Sequence, residues 1–156
     1  MAYSQLQKEE TEVHIKASAD KFYDVFCNKT YVIANIFPEL VQSVDIQQGQ
    51  WGTDKSVITW TYFHEGKTRV AKEIVEDIDK EKYKMSFKVI EGDVMEHYKS
   101  FKFIMQATPK EKGGSVVNWA VEYEKQNDSI HDPRTMLQLT VDETKKIDEY
   151  FTNNHN

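Results

Sequence analysis

The sequence predicts an α+β domain in which one twisted antiparallel sheet wraps around a long C-terminal helix. Three observations carry this. Residues 40–124 read as successive strands whose connections are too short for helical crossovers, so neighbouring strands must run antiparallel. A helical pattern then runs from Arg134 to about Phe151. No repeat, low-complexity tract or Pro/Gly/Ser-rich linker divides the 156 residues, and that length suits a single domain over 1–156.

Each element follows from local pattern. Thr11-Glu12-Val13-His14-Ile15-Lys16 alternates with period two, as a half-buried strand does. Ser18 suits the N-cap of a short helix that carries Phe22, Val25 and Phe26 on one face. A second short helix over Lys29–Ile36 ends before Pro38, because the residue preceding proline is pushed out of the α region. Val44 and Ile46 lead into a turn at Gly49 and Gly52. Ser56–Phe63 is rich in β-branched and aromatic residues and is closed by Glu65-Gly66-Lys67. Its inward face is open between Ile58, Trp60 and Tyr62 on one side and Val57 and Thr59 on the other, since a one-residue slip exchanges faces.

Thr68–Ile78 forms the next strand, followed by a polar turn at Asp79-Lys80-Glu81-Lys82. Met85, Phe87 and Val89 alternate with polar residues, as do Phe101, Phe103 and Met105, and then Val117, Trp119, Val121 and Tyr123 beyond the Gly113-Gly114 turn. In the final helix Asp132 is placed as N-cap and Pro133 at the first helical position, where its missing N–H costs nothing. The helix is about 27 Å long at 1.5 Å per residue. Met136, Leu139, Thr140, Glu143 and Ile147 share one face, with Leu137, Val141 and Thr144 beside them, so an acid and two threonines interrupt a stripe that should be plainly apolar.

Composition removes several classes of function. Lys and Arg total 20 against 26 Asp and Glu, and a net charge of −6 disfavours a phosphate backbone, so no nucleic acid is expected. Cys27 is the single cysteine, which rules out an internal disulfide. The stretch Met1–Glu10 lacks the apolar core of a signal peptide, and no run of 18 apolar residues exists. A cytoplasmic monomer without a membrane span is expected. The five histidines (14, 64, 97, 131 and 155) never fall three or four apart, no HExxH or CxxC is present, and neither a metal nor another cofactor is expected. No nucleophile elbow supports Ser-His-Asp chemistry. The loop Gly49–Asp54 lacks P-loop spacing, and Glu76–Lys82 reads as a solvated charged turn.

Nineteen aromatic residues remain, a heavy load for one small core. Many fall on the inner sheet face opposite the polar-flecked helix. Either a pocket lies between sheet and helix, or the rings form a solid core with Glu143 turned to solvent.

A resemblance bears on that choice. Ile90-Glu91-Gly92-Asp93-Val94-Met95 and Tyr98-Lys99-Ser100-Phe101 resemble the signature segment of plant major latex proteins. So do Trp51-Gly52-Thr53, Ala71-Lys72-Glu73, Ala107-Thr108-Pro109-Lys110 and Glu122-Tyr123-Glu124-Lys125, in collinear order over nearly the whole chain. These proteins belong to the superfamily of the birch-pollen allergen and the class-ten pathogenesis-related proteins. The resemblance implies a helix-grip fold, in which a seven-stranded antiparallel sheet grips the C-terminal helix and two short helices close one end. It also implies a large internal cavity for a small hydrophobic or amphipathic ligand. Carried over by position, the lining comprises Trp60 and Lys72; Met85, Phe87 and Val89; Phe101, Phe103 and Met105; Val117, Trp119, Val121 and Tyr123; and Met136, Leu139, Thr140 and Glu143.

The function this implies is non-enzymatic binding, storage or transport of a plant metabolite, hormone or xenobiotic, with a defence or stress role. The alternative is a cavity enzyme, an isomerase or condensing enzyme of alkaloid metabolism, with Glu143, Lys72 and Tyr123 as acid–base groups and His97 more distant. That alternative requires the Glu143 carboxylate to face the cavity within about 3 Å of Lys72 or a tyrosine hydroxyl.

Overall fold

In the computed structural model, residues 5–153 are described; Met1–Ser4 and His155, both considered above, lie outside them. The element order is β1 (Gln7–Ile15), α1 (Ala19–Asn28), a 3₁₀ turn (Thr30–Val32), α2 (Ile33–Ile36), β2 (Val41–Gln48), β3 (Val57–His64), β4 (Lys67–Asp79), β5 (Lys84–Gly92), a second 3₁₀ turn (Asp93–Glu96), β6 (Tyr98–Pro109), β7 (Ser115–Lys125) and α3 (Arg134–Asn153). The seven strands form one antiparallel sheet in the order β1-β7-β6-β5-β4-β3-β2. The helix-grip arrangement expected from the sequence is the one observed.

Alternation decides which side chains reach the core. On β3 Ile58, Trp60 and Tyr62 are buried, as is Val57 at the strand's start, while Thr59 and Thr61 are half-exposed, so the more hydrophobic face points inward. On β4 the buried set is Ala71, Glu73 and Val75. In β2 a register shift between Val41 and Ser43 lets both Val41 and Val44 face inward despite their odd spacing. The charged run at 76–82 is only partly a turn. Glu76 and Asp77 belong to β4, where Asp77 adopts a positive φ and pairs with Lys102 at 3.0 Å, and Glu76 pairs with Lys55 at 3.0 Å.

The start of α3 corrects the expected cap by one residue. The Leu137 N–H donates to the Pro133 carbonyl at 3.0 Å, so proline occupies the cap position. The Asp132 carboxylate instead pairs with Lys125 at 2.8 Å and accepts from the Tyr123 hydroxyl at 3.4 Å. At the other end, Asp148 accepts the backbone N–H of Ala17 at 2.8 Å and of Lys16 at 3.1 Å, which ties the last turns of α3 to the β1–α1 junction.

Gly92 ends β5 at φ 129° and ψ −177°, a region essentially confined to glycine. A Cβ there would collide with the Val70 carbonyl across the β4–β5 pair, whereas a Cβ on Gly66 would meet nothing within 4 Å. Gly92→Ala is therefore expected to cost about 2–4 kcal/mol and Gly66→Ala only about 1 kcal/mol, read from urea denaturation midpoints.

Candidate ligand-binding site

Between the sheet and α3 lies an inner chamber of about 40 Å³. Its walls come from α1 (Phe26), β3 (Trp60, Tyr62), β4 (Ala71, Glu73), β5 (Phe87, Val89), the second 3₁₀ turn (Val94), β6 (Phe103), β7 (Trp119) and α3 (Met136, Leu139, Thr140, Glu143). Tyr62, Val94 and Met136 also border a wider recess of about 440 Å³, whose remaining wall includes His64, Glu65, Arg69, Asp93, His97, Tyr98, residues 129–133 and Thr135. Tyr62, Val94 and Met136 thus form a wall common to the chamber and to this recess, the vestibule.

The expected large cavity is corrected to this small chamber, and aromatic packing explains the difference. Phe26 from α1 sits edge-on to Trp119 at 5.2 Å and to Phe87 at 6.3 Å, and Trp60 meets Phe87 at 6.2 Å. Interlocked rings fill most of the space that their alignment along the sheet would otherwise leave open.

Of the expected lining, Trp60, Phe87, Val89, Phe103, Trp119, Met136, Leu139, Thr140 and Glu143 are brought together around the chamber. Met85, Met105, Val117 and Val121 face inward but are buried in solid core away from it. Phe101 packs between Tyr98 at 5.0 Å and Phe103 at 5.2 Å, also outside the chamber wall. Tyr123 is buried, yet its hydroxyl points out of the core and donates to Glu9 at 3.0 Å. Lys72 lies on the outer face, where it pairs with Glu91 at 3.3 Å, because its neighbours Ala71 and Glu73 take the two inward positions. The Glu143–Lys72–Tyr123 group required for the expected acid–base chemistry is therefore not assembled.

The two threonines of the α3 stripe are accounted for locally. Thr140 donates to the Leu137 carbonyl at 2.6 Å and Thr144 to the Thr140 carbonyl at 2.8 Å, while Thr144 also accepts the Trp119 indole N–H at 2.8 Å. Glu143 differs. It is 7% exposed and lines the chamber, and burial, helped by Asp142, raises its pKa to about 8.

A second acid, Glu73, is 4% exposed and was not among the expected site residues. Burial is the main cause that raises its pKa to about 8; the nearby Trp60 indole offsets part of this and Glu143 adds to it. Glu73 Oε1 and Trp60 Nε1 both lack a hydrogen-bond partner, so proximity has not become a formed bond. The signal that could have found Glu73 is its period-two spacing from Ala71 and Val75, both buried. Val94 had none, because it lies in a 3₁₀ turn without periodicity.

In the vestibule, burial lowers the pKa of His64, and His64 Nε2 has no partner. The Tyr98 hydroxyl donates to the His131 carbonyl at 2.7 Å, and burial raises its pKa to about 12. Arg69 donates through Nε to the His64 carbonyl at 3.0 Å. Among the described residues, no helix is long and apolar enough to cross a membrane.

Residues 4–154 match the model of the pathogenesis-related protein Bet v 1 family. The chain belongs to the Bet v 1 family. Its relatives place it with the major latex proteins. MLP-like protein 43 of Arabidopsis thaliana is 42% identical over 151 residues, covering 96% of both chains. MLP-like protein 34 of the same plant is 49% identical over 143 residues, covering 91% of this chain. The chain spans about half the length of MLP-like proteins 34 and 28, 45% of each. Among solved structures, ginseng major latex-like protein 151 from Panax ginseng superposes with a TM-score of 0.89 at 32% identity, over 93% of this chain and 97% of that one. Norcoclaurine synthase of Thalictrum flavum shares the Bet v 1 fold at a TM-score of 0.74 and 17% identity, over 94% and 96% of the two chains.

Proposed function

We propose that this Bet v 1-family chain is a non-enzymatic binding protein for a small hydrophobic or amphipathic molecule, which it stores or carries as a cytoplasmic monomer with a defence or stress role. The observation that supports this most is the vestibule of about 440 Å³, which shares Tyr62, Val94 and Met136 with an inner chamber lined largely by apolar and aromatic residues. That volume falls within the range of ordinary small-molecule sites, and an apolar interior with few polar groups suits such a ligand. Met136 at the junction adds an adaptable thioether surface, favourable to ligands of different shapes.

Titration with 8-anilinonaphthalene-1-sulfonate, followed by sterols, flavonoids, cytokinins and alkaloids, tests the reading. At least one compound is expected to bind with a Kd below about 100 μM. Failure of the dye and the whole panel would remove the proposal.

One observation favours the alternative, an isomerase or condensing enzyme of alkaloid metabolism. Two buried carboxyl groups have pKa values of about 8, the range in which an acid can exchange protons at neutral pH. With Lys72 and Tyr123 engaged elsewhere, Glu73 and Glu143 would have to supply that chemistry alone. Conversion of a bound amine or carbonyl compound, detected by mass spectrometry and lost in Glu73→Gln, would establish the enzyme reading.

A further inference from the structure

The chamber's size and its unpartnered groups select a kind of ligand and an orientation for it. A volume of about 40 Å³ holds two or three water-sized groups but no aromatic ring. Glu73 and Glu143 are among its lining residues, and Oε1 of Glu73 is buried with nothing donating to it. The hydroxyls of Thr140 and Thr144 are spent on helix carbonyls. No lysine or arginine is among the chamber's described lining, so a carboxylate formed there would have no counter-charge from the protein. Half of the remaining lining is aromatic, Trp60, Phe87, Phe103 and Trp119 included, and an aromatic ring attracts a cation over its face.

We propose that the chamber is a receptor for a primary ammonium group, so that the ligand is an amphipathic amine seated with its nitrogen inward at Glu73 and Glu143 and its body extending towards the vestibule. This rests on the ligand-binding reading above and specifies its ligand class. A primary ammonium is about the size of a water molecule and donates three hydrogen bonds. A quaternary ammonium donates none. A carboxylate or phosphate head would meet two acids.

The groups around the site set the pH dependence. Glu73 comes from β4, Glu143 from α3 with Asp142 beside it, and Tyr62 and Trp60 from β3; Arg69, His64 and Asp93 stand further out in the vestibule. With pKa values of about 8, both chamber acids are mainly protonated in the empty protein at pH 7. The incoming amine already carries its proton. An ion pair therefore forms when one carboxyl group releases its proton to solvent, leaving a carboxylate against the ammonium. The Trp60 N–H, idle in the empty chamber, becomes a donor to ionised Glu73. Amine affinity should rise about tenfold per pH unit below the carboxyl pKa and level off above it.

Isothermal titration of the full chain with 3-phenylpropylamine, 3-phenylpropan-1-ol and 3-phenylpropionate at pH 6, 7 and 8 tests this. The amine is expected to bind at least tenfold more tightly than the alcohol at pH 8 and to lose about tenfold per unit towards pH 6. Repeating the pH 7 titration in buffers of different ionisation enthalpy should show close to one proton released per amine bound. In Glu73→Gln, Glu143→Gln and the double variant, the amine-to-alcohol affinity ratio should fall towards one. The proton count on the unaltered chain keeps the test decisive even if a variant fails to fold. Equal binding of amine and alcohol, preference for the propionate, or amine binding without proton release would overturn the inference. If the alcohol or the fluorescent dye binds but the amine gains nothing, only this inference falls; if no probe binds, the ligand-binding reading falls with it.

Discussion

Between pH 6.5 and pH 8 the chain is expected to lose about 2–4 kcal/mol of stability, and the Glu73→Gln/Glu143→Gln double variant should lose little of it. The cause is the pair of acids in the chamber wall. Each is almost fully buried, and its pKa is raised from the ordinary carboxyl range near 4.5 to about 8. An acid with a raised folded pKa holds its proton in the native state after the unfolded chain has released it. Its contribution to stability is complete below the unfolded pKa and is lost as pH rises towards the folded one. Over that window each acid removes at most about 1.4 kcal/mol per pH unit.

Other groups act in separable ranges. Asp20, Asp77 and Asp132 have lowered pKa values, led by hydrogen bonds from Ser18, Lys102 and Lys125 respectively, so they favour the fold above the ordinary carboxyl range and lose that effect in acid. The pKa of His64 is lowered by burial, so its contribution grows as pH rises to about 6.5 and opposes the two glutamates below that point. The decline is therefore cleanest above pH 6.5. Urea midpoints at pH 6.5, 7.25 and 8 provide the measurement. A flat wild-type profile, or an unchanged slope in the double variant, would show that these acids do not stay protonated in the fold.

The same two residues show what the sequence makes legible. Period-two alternation identifies β1, β5, β6 and β7, because one face of the sheet is buried by α3 and the other is solvated, whereas β3 shows as a β-branched and aromatic run and β2 buries Val41 and Val44 at odd spacing. It also separates Glu73 from Lys72, yet Lys72 was the expected site residue, since the motif containing both gives neither a facing direction. Trp60 and Tyr62 carry no local mark of inwardness, and their face is decided by pairing with β2 and β4. Asp132 has the chemistry of an N-cap, but Lys125 and Tyr123 compete for its carboxylate across a tertiary contact. Chamber volume is the least legible quantity. It depends on Phe26 of α1 wedging against Trp119 and Phe87, and the helical pattern shows that Phe26 is buried without showing what it meets.

Trp119→Ala is expected to be the most destabilising single substitution in the chamber wall, at about 3–5 kcal/mol. Trp119 is 2% exposed and joins three elements: β7, which carries it, α1 through the Phe26 ring, and α3 through the indole N–H donated to Thr144. Truncation removes the buried ring and leaves a cavity that backbone tied into the sheet can only partly close. Trp119→Phe separates the two contributions, since it keeps most of the packing and removes the hydrogen bond, at about 1 kcal/mol. Thr144 stays bonded to the Thr140 carbonyl in either variant, so its hydroxyl is not orphaned and the difference between the variants reports mainly the lost ring. The function should change in the opposite sense to stability. Opening the wall adds ring-sized space beside Glu143, so Trp119→Ala should bind 3-phenylpropan-1-ol more tightly while its preference for the amine narrows. Urea midpoints and calorimetric titration measure the two effects on the same samples. A cost below about 1 kcal/mol would mean that α1 and α3 are held without this ring, and an unchanged alcohol affinity would mean that chamber volume does not limit what enters.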